Sequence, residues 1–224
     1  MAEQLRNVGQ LFEDERFSAI TEVPEWTSER IDDARLQLEE LLEKREQQIE
    51  EGMSELHTQY YWVSYVLRAL GFCYSVSEIV PTEESVRPDF VLFYSADEFR
   101  AAVPHRGERE FFAQALAVVR CFAWDASLDE YGEEEHEGPD NPAFEIDKMI
   151  RATGVNWGIL TNGRLWRLYH RETSGLFDTY YEVDLYAALQ SANVDAFKYF
   201  WTVFSPEGLG GFDGNDPLVH RMLH

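Results

Sequence analysis

The sequence predicts an α/β fold in which helices flank a central mixed sheet. The main observations are apolar segments of strand length and segments with helical periodicity, which follow one another as helix, strand, strand, helix and hairpin. Asn162 and Gly163 lie between the last two strands, and Asn-Gly is the strongest short signal for a β-hairpin. The five strands predicted for the sheet are 72–80, 87–95, 116–124, 155–161 and 164–170.

Helices are predicted before, between and after these strands. Apolar residues recur at helical spacing from Ser28 to about Glu51 and again over 54–70. In the second of these helices the inward positions are predicted to be Leu56, Tyr60, Val63, Leu67 and Leu70. Further helices are expected over 141–152 and 185–204, with a short strand over 179–183 between them.

The length of 224 residues suits one domain with flanking segments. Residues 1–53 are predicted to form an N-terminal helical arm, and 54–204 a domain built on the sheet. The arm either docks on a partner or second subunit, or packs on its own domain. Residues 205–224 are rich in glycine and are interpreted as a linker or tail.

The composition is strongly acidic. The net charge is −23, from 42 acidic and 19 basic residues, and arginine outnumbers lysine sixteen to three. An acidic chain poor in lysine is typical of a cytoplasm rich in salt, and the spread of acids along the chain favours this halophile interpretation. The alternative is an ordinary acidic protein with one acidic loop. That loop, 125–142, is interpreted as a solvated insert, because its acids match no calcium-binding spacing.

Two further features of the sequence indicate the cellular compartment of the protein. Cys73 and Cys121 both lie in apolar contexts, and we expect buried thiols and no disulfide. No apolar run reaches the length of a membrane span, and no signal peptide is recognised ahead of the acidic N-terminal residues. We therefore expect a cytoplasmic protein without membrane contact.

The segment 116–125, LAVVRCFAWD, contains one residue that does not fit a buried strand. Alternation places Val118, Arg120 and Phe122 on one face, so a guanidinium lies among apolar neighbours. Burying a charge is costly unless another charge or a hydrogen-bonding group compensates it. Arg120 is therefore expected to have a partner.

Four motifs together resemble a known family. They are RPDFVLF at 87–93, WDASLD at 124–129, TGVNWGILTNGRLWRLYH at 153–170 and DTYYEVDL at 178–185. In this order they resemble the PD-(D/E)xK nuclease domain at the N-terminus of type IIG and type I restriction-modification enzymes. The match runs from about Leu56 to Phe204. It implies a restriction-endonuclease-like sheet, and a partner such as a methyltransferase or another restriction-modification subunit.

The same comparison shows departures from the family pattern. Where the family carries Glu-x-Lys on the strand, this chain has Arg120 and Phe122. Where the preceding helix often carries glutamate, this chain has Gln59. Arginine would place a fixed positive charge where the family binds a cation, and phenylalanine can neither position nor polarise water.

A second motif of the family also differs. In place of Gln-x-x-x-Tyr the chain has Glu145 and Met149, so Asp89 is the only family site residue that remains. The resemblance therefore implies an inactive nuclease-like domain that serves as a scaffold or interaction subunit of a restriction-modification or related DNA-defence system, with no cofactor. One alternative is an active Mg²⁺-dependent DNA endonuclease that uses relocated residues, Glu145 and Lys148. In the inactive domain Arg120 is expected to take the place of the lost metal by pairing with Asp89, whereas in the active alternative Asp89 would bind the metal.

Another alternative is a DNA-contacting module. Its arginines would be Arg164, Arg167 and Arg171, with Arg106 as a further candidate. A net charge of −23 opposes tight DNA binding, because phosphate contacts are electrostatic and weaken further in salt. Any DNA contact is therefore expected to be weak.

The halophile interpretation predicts a strong effect of salt on stability. Carboxylate repulsion is unscreened in dilute buffer, so the melting temperature should rise steeply as KCl is increased from low to molar concentration. Thermal unfolding followed by circular dichroism measures this. A melting temperature that does not change over that range would contradict the interpretation.

Overall fold

A computed structural model describes residues 4–81, 86–130 and 141–223, and within them a seven-stranded sheet organises the chain. The strands are β1 (Leu5–Val8), β2 (Cys73–Val76), β3 (Phe90–Phe93), β4 (Ala117–Cys121), β5 (Trp157–Thr161), β6 (Leu165–His170) and β7 (Tyr180–Asp184). The α-helices are α1 (Asp14–Ser18), α2 (Arg30–Glu50), α3 (Glu55–Thr58), α4 (Ser64–Leu70), α5 (Ala96–Ala102), α6 (Ala143–Thr153), α7 (Leu185–Gln190), α8 (Asp195–Phe204), α9 (Pro206–Gly210) and α10 (Leu218–Met222). A π-helical turn, Gln59–Val63, joins α3 to α4.

The sheet is mixed. Its strand order is β1-β7-β6-β5-β4-β3-β2, with β4 parallel to β5 and every other neighbouring pair antiparallel. A parallel pair requires a crossover connection, and α6 lies in the one between β4 and β5. The predicted α/β fold with a central mixed sheet and flanking helices is therefore confirmed, and all five predicted strands belong to this sheet. β4 lies inside it, between β3 and β5.

Both faces of the sheet are covered by apolar side chains. Phe90 and Leu92 of β3 face the core formed with α2, α4 and α8, whereas Val91 and Phe93 face the core that includes α5 and α6. This alternation follows from the two-residue period of a strand. Gly158 of β5 lets α6 approach closely, since a Cβ there would lie 2.6 Å from the Ile146 Cγ1 atom.

The N-terminal 53 residues pack on this domain. Residues 5–8, which the sequence did not identify as a strand, form the edge strand β1 on β7. On α2, Ile31, Leu38 and Ile49 are buried in the same core as β3 and β4. Of the two interpretations of the arm, the structure therefore shows packing on its own domain, and the arm is not a separate unit.

The linker interpretation of 205–224 is wrong, because this segment forms α9 and α10. Ser205 caps α9 by accepting a hydrogen bond from the Gly208 N–H group at 3.2 Å. Gly208 is buried where a Cβ would lie 2.1 Å from the Thr202 carbonyl oxygen, so glycine here permits close packing of two helices. Arg221 of α10 donates to the fully buried Glu25, which connects the two ends of the described chain.

Two of the inward positions predicted for the helix over 54–70 are also wrong. Val63, Leu67 and Leu70 are buried, but Leu56 and Tyr60 are exposed. The π-helical turn contains one more residue per hydrogen-bonded turn than an α-helix, so it rotates the residues before it relative to those after it. A uniform helical period over the whole segment therefore fails.

The remaining expectations concern cysteines, membrane spans and the acidic loop. Both cysteines are free; Cys121 is fully buried as expected, and Cys73 is only partly buried. In the described part of the chain no helix combines the length and apolar character needed to cross a membrane. Residues 131–140 of the acidic loop lie outside the described residues.

A cluster of two histidines and a tryptophan predicts acid sensitivity. The Trp157 indole N–H donates to the His220 Nε2 atom at 3.1 Å, and the His170 ring lies 4.6 Å from the Trp157 ring. Burial lowers the pKa of His170 and of His220 below the ordinary value of 6.5. The unfolded chain therefore takes up protons at a higher pH than the folded chain. Stability should fall as the pH decreases through the unfolded-state value, between about pH 7 and pH 5.

Urea denaturation at a series of pH values measures this effect. His220→Gln keeps a side-chain acceptor for Trp157 but does not titrate, so its free energy of unfolding should change less over this range than that of the unmodified chain. Equal pH dependence in the two proteins would contradict a role for His220.

Candidate functional site

The main candidate site residues lie together at the C-terminal end of β4. Asp89 immediately precedes β3, and its backbone N–H donates to the Val119 carbonyl oxygen at 2.9 Å. This pairing aims the Asp89 side chain at β4, where its Oδ2 atom accepts from the Cys121 N–H group at 2.7 Å and from the Arg120 Nη1 group at 3.1 Å. The pairing of Asp89 with Arg120 expected from the sequence is confirmed.

Arg120 has two further acidic partners. Its Nη1 group lies 2.8 Å from Glu55 Oε1, and its Nε group lies 2.5 Å from Glu145 Oε2. The carboxylates come from three different elements: Glu55 from the first turn of α3, Asp89 from the start of β3 and Glu145 from the first turn of α6. We call Arg120 with these three carboxylates the Arg120 cluster.

Glu55 is the member that sequence reasoning missed. The family comparison pointed to Gln59, but Glu55 lies four residues earlier, one helical turn away along the same helix. Ser54 caps that helix by accepting from the His57 N–H group, which starts the helix at Glu55. An acidic residue one turn before the expected position, directly after a capping serine, was the available signal.

Phe122 completes the environment of the guanidinium. The Arg120 Cζ atom lies 4.6 Å from the centroid of the Phe122 ring, a distance at which a cation is attracted to an aromatic face. Phe122, which stands where the resembled family carries a lysine, therefore stabilises the Arg120 guanidinium.

Burial and ion pairing together shift the pKa values of the groups in and beside the Arg120 cluster. Burial lowers the pKa of the Arg120 guanidinium, but its contacts with Glu55, Asp89 and Glu145 outweigh burial and raise it, so the group stays protonated. For Asp89 burial dominates: loss of hydration raises the pKa of its carboxyl group more than Arg120 and the Cys121 N–H lower it. Burial also raises the pKa of the Cys121 thiol well above its ordinary value, so this sulfur is a neutral thiol and not a nucleophile.

The other residues compared with the family motifs lie around the cluster on its supporting helices. Gln59 is buried in the π-helical turn, and Met149 is buried in α6. The Lys148 Nζ atom lies 5.9 Å from the centroid of the Phe144 ring. Of the relocated pair, the structure places Glu145 against Arg120.

The predicted DNA-contacting arginines do not form an open basic surface. Arg167 is buried, with its Nε group 2.6 Å from Glu182 and its Nη1 group 3.0 Å from Asp129, so its assignment to DNA contact is wrong. Arg164 pairs with Asp184 and Asp125. Alternation in β6 places Arg167 on the same face as the buried Tyr169, opposite Trp166 and Leu168, and both faces of this strand are covered by core residues.

Arg106 and Arg171 are exposed but lie in different places. Arg106 is 2.9 Å from Glu78, and Arg171 donates to the Gly154 carbonyl oxygen at 3.1 Å. One is partly neutralised by a carboxylate, and the other contacts the loop before β5. The four arginines therefore do not share one face free of acidic partners.

The motifs WDASLD and NGRLWR contact each other and have a structural role. Asp125 pairs with Arg164, and the Leu128 carbonyl oxygen accepts from Arg167 at 2.8 Å. Gly163 has a φ of +85°, and a Cβ there would lie 2.7 Å from the Trp124 ring. The arginines and acids of these motifs hold the β5–β6 hairpin against the segment after β4.

Comparison of the chain with protein-family models, with curated proteins and with solved structures found no match. Within residues 4–81, 86–130 and 141–223, no group of three or more histidine, cysteine, aspartate or glutamate side chains has the arrangement of a metal site. The Arg120 cluster is thus described from its own geometry.

The Arg120 cluster predicts a large cost for losing its cation. Arg120→Ala leaves three carboxylates close together with Asp89 partly buried, and should lower the free energy of unfolding by about 3 kcal/mol. Arg120→Lys should lower the free energy of unfolding by less, because an ammonium group keeps the positive charge. Some loss should remain, because lysine lacks the planar guanidinium that contacts several carboxylates at once. Urea denaturation measures both.

Arg100→Ala is the matched control, because Arg100 forms an ion pair with Asp97 at the surface and its loss should change stability little. Combining Arg120→Met with Asp89→Asn, Glu55→Gln and Glu145→Gln should recover part of the loss, since no charge is then left unpaired. An Arg120→Ala protein as stable as the unmodified one would show that the cluster is not stabilising.

Proposed function

We propose that the chain is a restriction-endonuclease-like domain that does not cut DNA and that acts as a scaffold or interaction subunit of a restriction-modification or related DNA-defence system. A methyltransferase or another subunit of such a system is the proposed partner, and the cytoplasm the proposed location. The observation that carries the proposal is the Arg120 guanidinium among the carboxylates of Glu55, Asp89 and Glu145.

The chemistry of that cluster opposes nuclease activity. Metal-dependent cleavage of a phosphodiester requires carboxylate oxygens that hold Mg²⁺ and a group that assists the attacking water. Here Asp89 and both glutamates already contact a cation that cannot deprotonate. Phe122 supplies an aromatic face to the guanidinium and has no atom that can activate water.

A second candidate function is an active Mg²⁺-dependent endonuclease with a relocated site. The observation in its favour is that Glu145, one of the two relocated residues, converges with Glu55 and Asp89 on one point. Carboxylates are the kind of oxygen ligand that Mg²⁺ prefers, but these three do not have the arrangement of a metal site while they contact Arg120. Arg120 would first have to leave this point, which would break all three ion pairs, so we rank this candidate below the inactive domain.

A DNA-contacting module is not favoured by the arginines named for it. Arg167 is buried against Glu182, and Arg164 pairs with two carboxylates. The net charge of −23 further repels a polyanion. Any contact with DNA in the proposed system is therefore assigned to the partner.

The proposal predicts that the purified chain leaves supercoiled plasmid DNA intact in the presence of Mg²⁺ or Mn²⁺, because Arg120 holds the carboxylates that a metal would need. Gel electrophoresis after long incubation measures this. Arg120→Glu combined with Phe122→Lys replaces the blocking cation by a fourth carboxylate and adds a lysine. This variant should gain Mn²⁺ binding, seen as a Mn²⁺-dependent rise in melting temperature that the unmodified chain lacks.

Cleavage by the unmodified chain that disappears in Asp89→Ala would contradict the proposal and favour the relocated site. In that case Glu145→Gln and Lys148→Ala should each abolish cleavage. Cleavage that persists in Asp89→Ala would indicate a contaminating nuclease.

A further inference from the structure

The helix that supplies Glu55 also carries exposed aromatic side chains. Leu56, Tyr60, Tyr61 and Tyr65 are 59%, 44%, 44% and 42% exposed, although the rest of this helical segment is largely buried. All four lie on the solvent side of this helical segment and form an exposed strip along it. We call this strip, together with Arg45 and Arg68, the tyrosine face.

Two arginines belong to the tyrosine face. The Arg45 Cζ atom lies 5.2 Å from the Tyr61 ring centroid, and the Arg68 Cζ atom lies 5.5 Å from that of Tyr65. Most arginines in the described part of the chain pair with a carboxylate. Within the same residues no carboxylate lies at ion-pair distance from Arg45 or Arg68; Arg45 contacts Gln48, and Arg68 contacts the Tyr74 hydroxyl group.

The contacts made by these two arginines leave hydrogen-bonding capacity unused. Arg45 uses its Nη1 group for Gln48 and Arg68 its Nε group for Tyr74, so the Nη2 group of Arg45 and both Nη groups of Arg68 have no hydrogen-bond partner among the described residues. Guanidinium groups prefer carboxylates or phosphates, which accept two hydrogen bonds at once. In a chain with 42 acidic residues, two arginines held on exposed tyrosines without an acidic partner indicate a site for acids from another molecule.

A concave surface adjoins the tyrosine face at the junction of α2 and α3. It is lined by Gln48, Glu51, Gly52, Met53, His57 and Tyr61. The His57 ring lies 5.4 Å from the Tyr61 ring, so the depression opens directly beside the aromatic strip. Met53 and Tyr61 are the apolar side chains of this depression, and they offer contact to one apolar side chain of a bound segment.

We infer that the tyrosine face binds a segment of a partner protein in which apolar anchor residues are flanked by aspartate or glutamate. This inference rests on the proposed role as an interaction subunit and names the surface for it. Tyrosine and arginine are enriched at the centres of protein–protein interfaces, where they supply contact area and directional hydrogen bonds. The partner's carboxylates pair with Arg45 and Arg68, and its apolar anchor enters the depression beside Tyr61.

The net charge of the chain favours a short acidic protein segment over two other possible ligands of the tyrosine face. A single-stranded nucleic acid also stacks on tyrosines, but it carries a phosphate at every nucleotide and approaches a chain of net charge −23 with only two arginines at the face. A second copy of the chain brings the same large negative charge. A short acidic segment carries enough charge to pair with two arginines and far less to be repelled.

A phage-displayed library of random peptides tests the inference. It is selected in parallel on the full unmodified chain, on Arg45→Glu with Arg68→Glu, and on a control, Arg109→Glu with Arg171→Glu. The control changes the net charge equally and alters two exposed arginines that also lack an ion pair to a carboxylate within the described residues. The unmodified chain and the control should enrich the same peptides, with apolar anchors flanked by acids.

Synthetic copies of the enriched peptides should bind the Arg45→Glu, Arg68→Glu variant about tenfold more weakly or worse, because both arginine contacts are lost and two like charges take their place. Lysine in place of the peptide acids should restore binding to that variant. Tyr61→Ser with Tyr65→Ser should also weaken binding, although it leaves the charge unchanged. Circular dichroism spectra confirm that each variant is folded.

Several results would overturn the inference. Enrichment of the same peptides on the charge-reversed variant, enrichment of basic peptides, or no enrichment on the unmodified chain would each do so. A dimer in sedimentation equilibrium that the Arg45→Glu, Arg68→Glu variant abolishes would assign the face to a second copy. Binding of an oligothymidylate that depends on Tyr61 and Tyr65 would assign it to nucleic acid.

The outcomes separate the inference from the proposed function. Plasmid cleavage dependent on Asp89 would overturn the inactive domain and leave a positive peptide result intact. Absence of peptide binding together with absence of cleavage would overturn the tyrosine face and leave the inactive domain.

Discussion

The fold depends on balancing the positive charge of the Arg120 guanidinium, which the apolar strand β4 places beside the core. Arg120 lies on β4, an interior strand, and its charge is balanced only because α3, the start of β3 and α6 each bring a carboxylate to it. These acids are distant in sequence from one another, so the cluster fixes three elements at one point. The same geometry that stabilises the fold occupies the oxygens that a metal ion would require.

The same compensation recurs elsewhere in the interior. Arg167 pairs with the buried Glu182, and the buried Glu25 and Glu207 pair with Arg221 and Arg30. The chain thus uses part of its small supply of cations inside or at the edge of the core, and its outer surface is correspondingly more acidic. This distribution explains why arginine-rich motifs, which suggested DNA contact, have a structural role.

Local patterns predicted the parts of the fold that local physics determines. Apolar segments identified β3 and β4, and Asn162-Gly163 identified the β5–β6 hairpin. The cost of burying Arg120 predicted that it has a partner, and the family resemblance pointed to Asp89. What failed depends on distant contacts: β1 is a strand because Leu5 pairs with Val183, and the glycine-rich residues after Phe204 fold because two helices approach each other closely at Gly208. Glu55 was missed because the family comparison pointed to Gln59, one helical turn later, and only the fold brings Glu55 to Arg120.

The π-helical turn determines how Glu55 is rotated about the helix axis relative to the buried residues that follow it. Residues of an α-helix advance by about 100° each, so the one extra residue in Gln59–Val63 offsets Glu55 by that angle from Trp62 and the residues beyond it. Loss of one residue in this turn would make the helix regular, but would turn Glu55 away from Arg120 and carry Leu56 toward the core. A change in the length of this segment would therefore alter which residues face the core, an effect that no single substitution within it has.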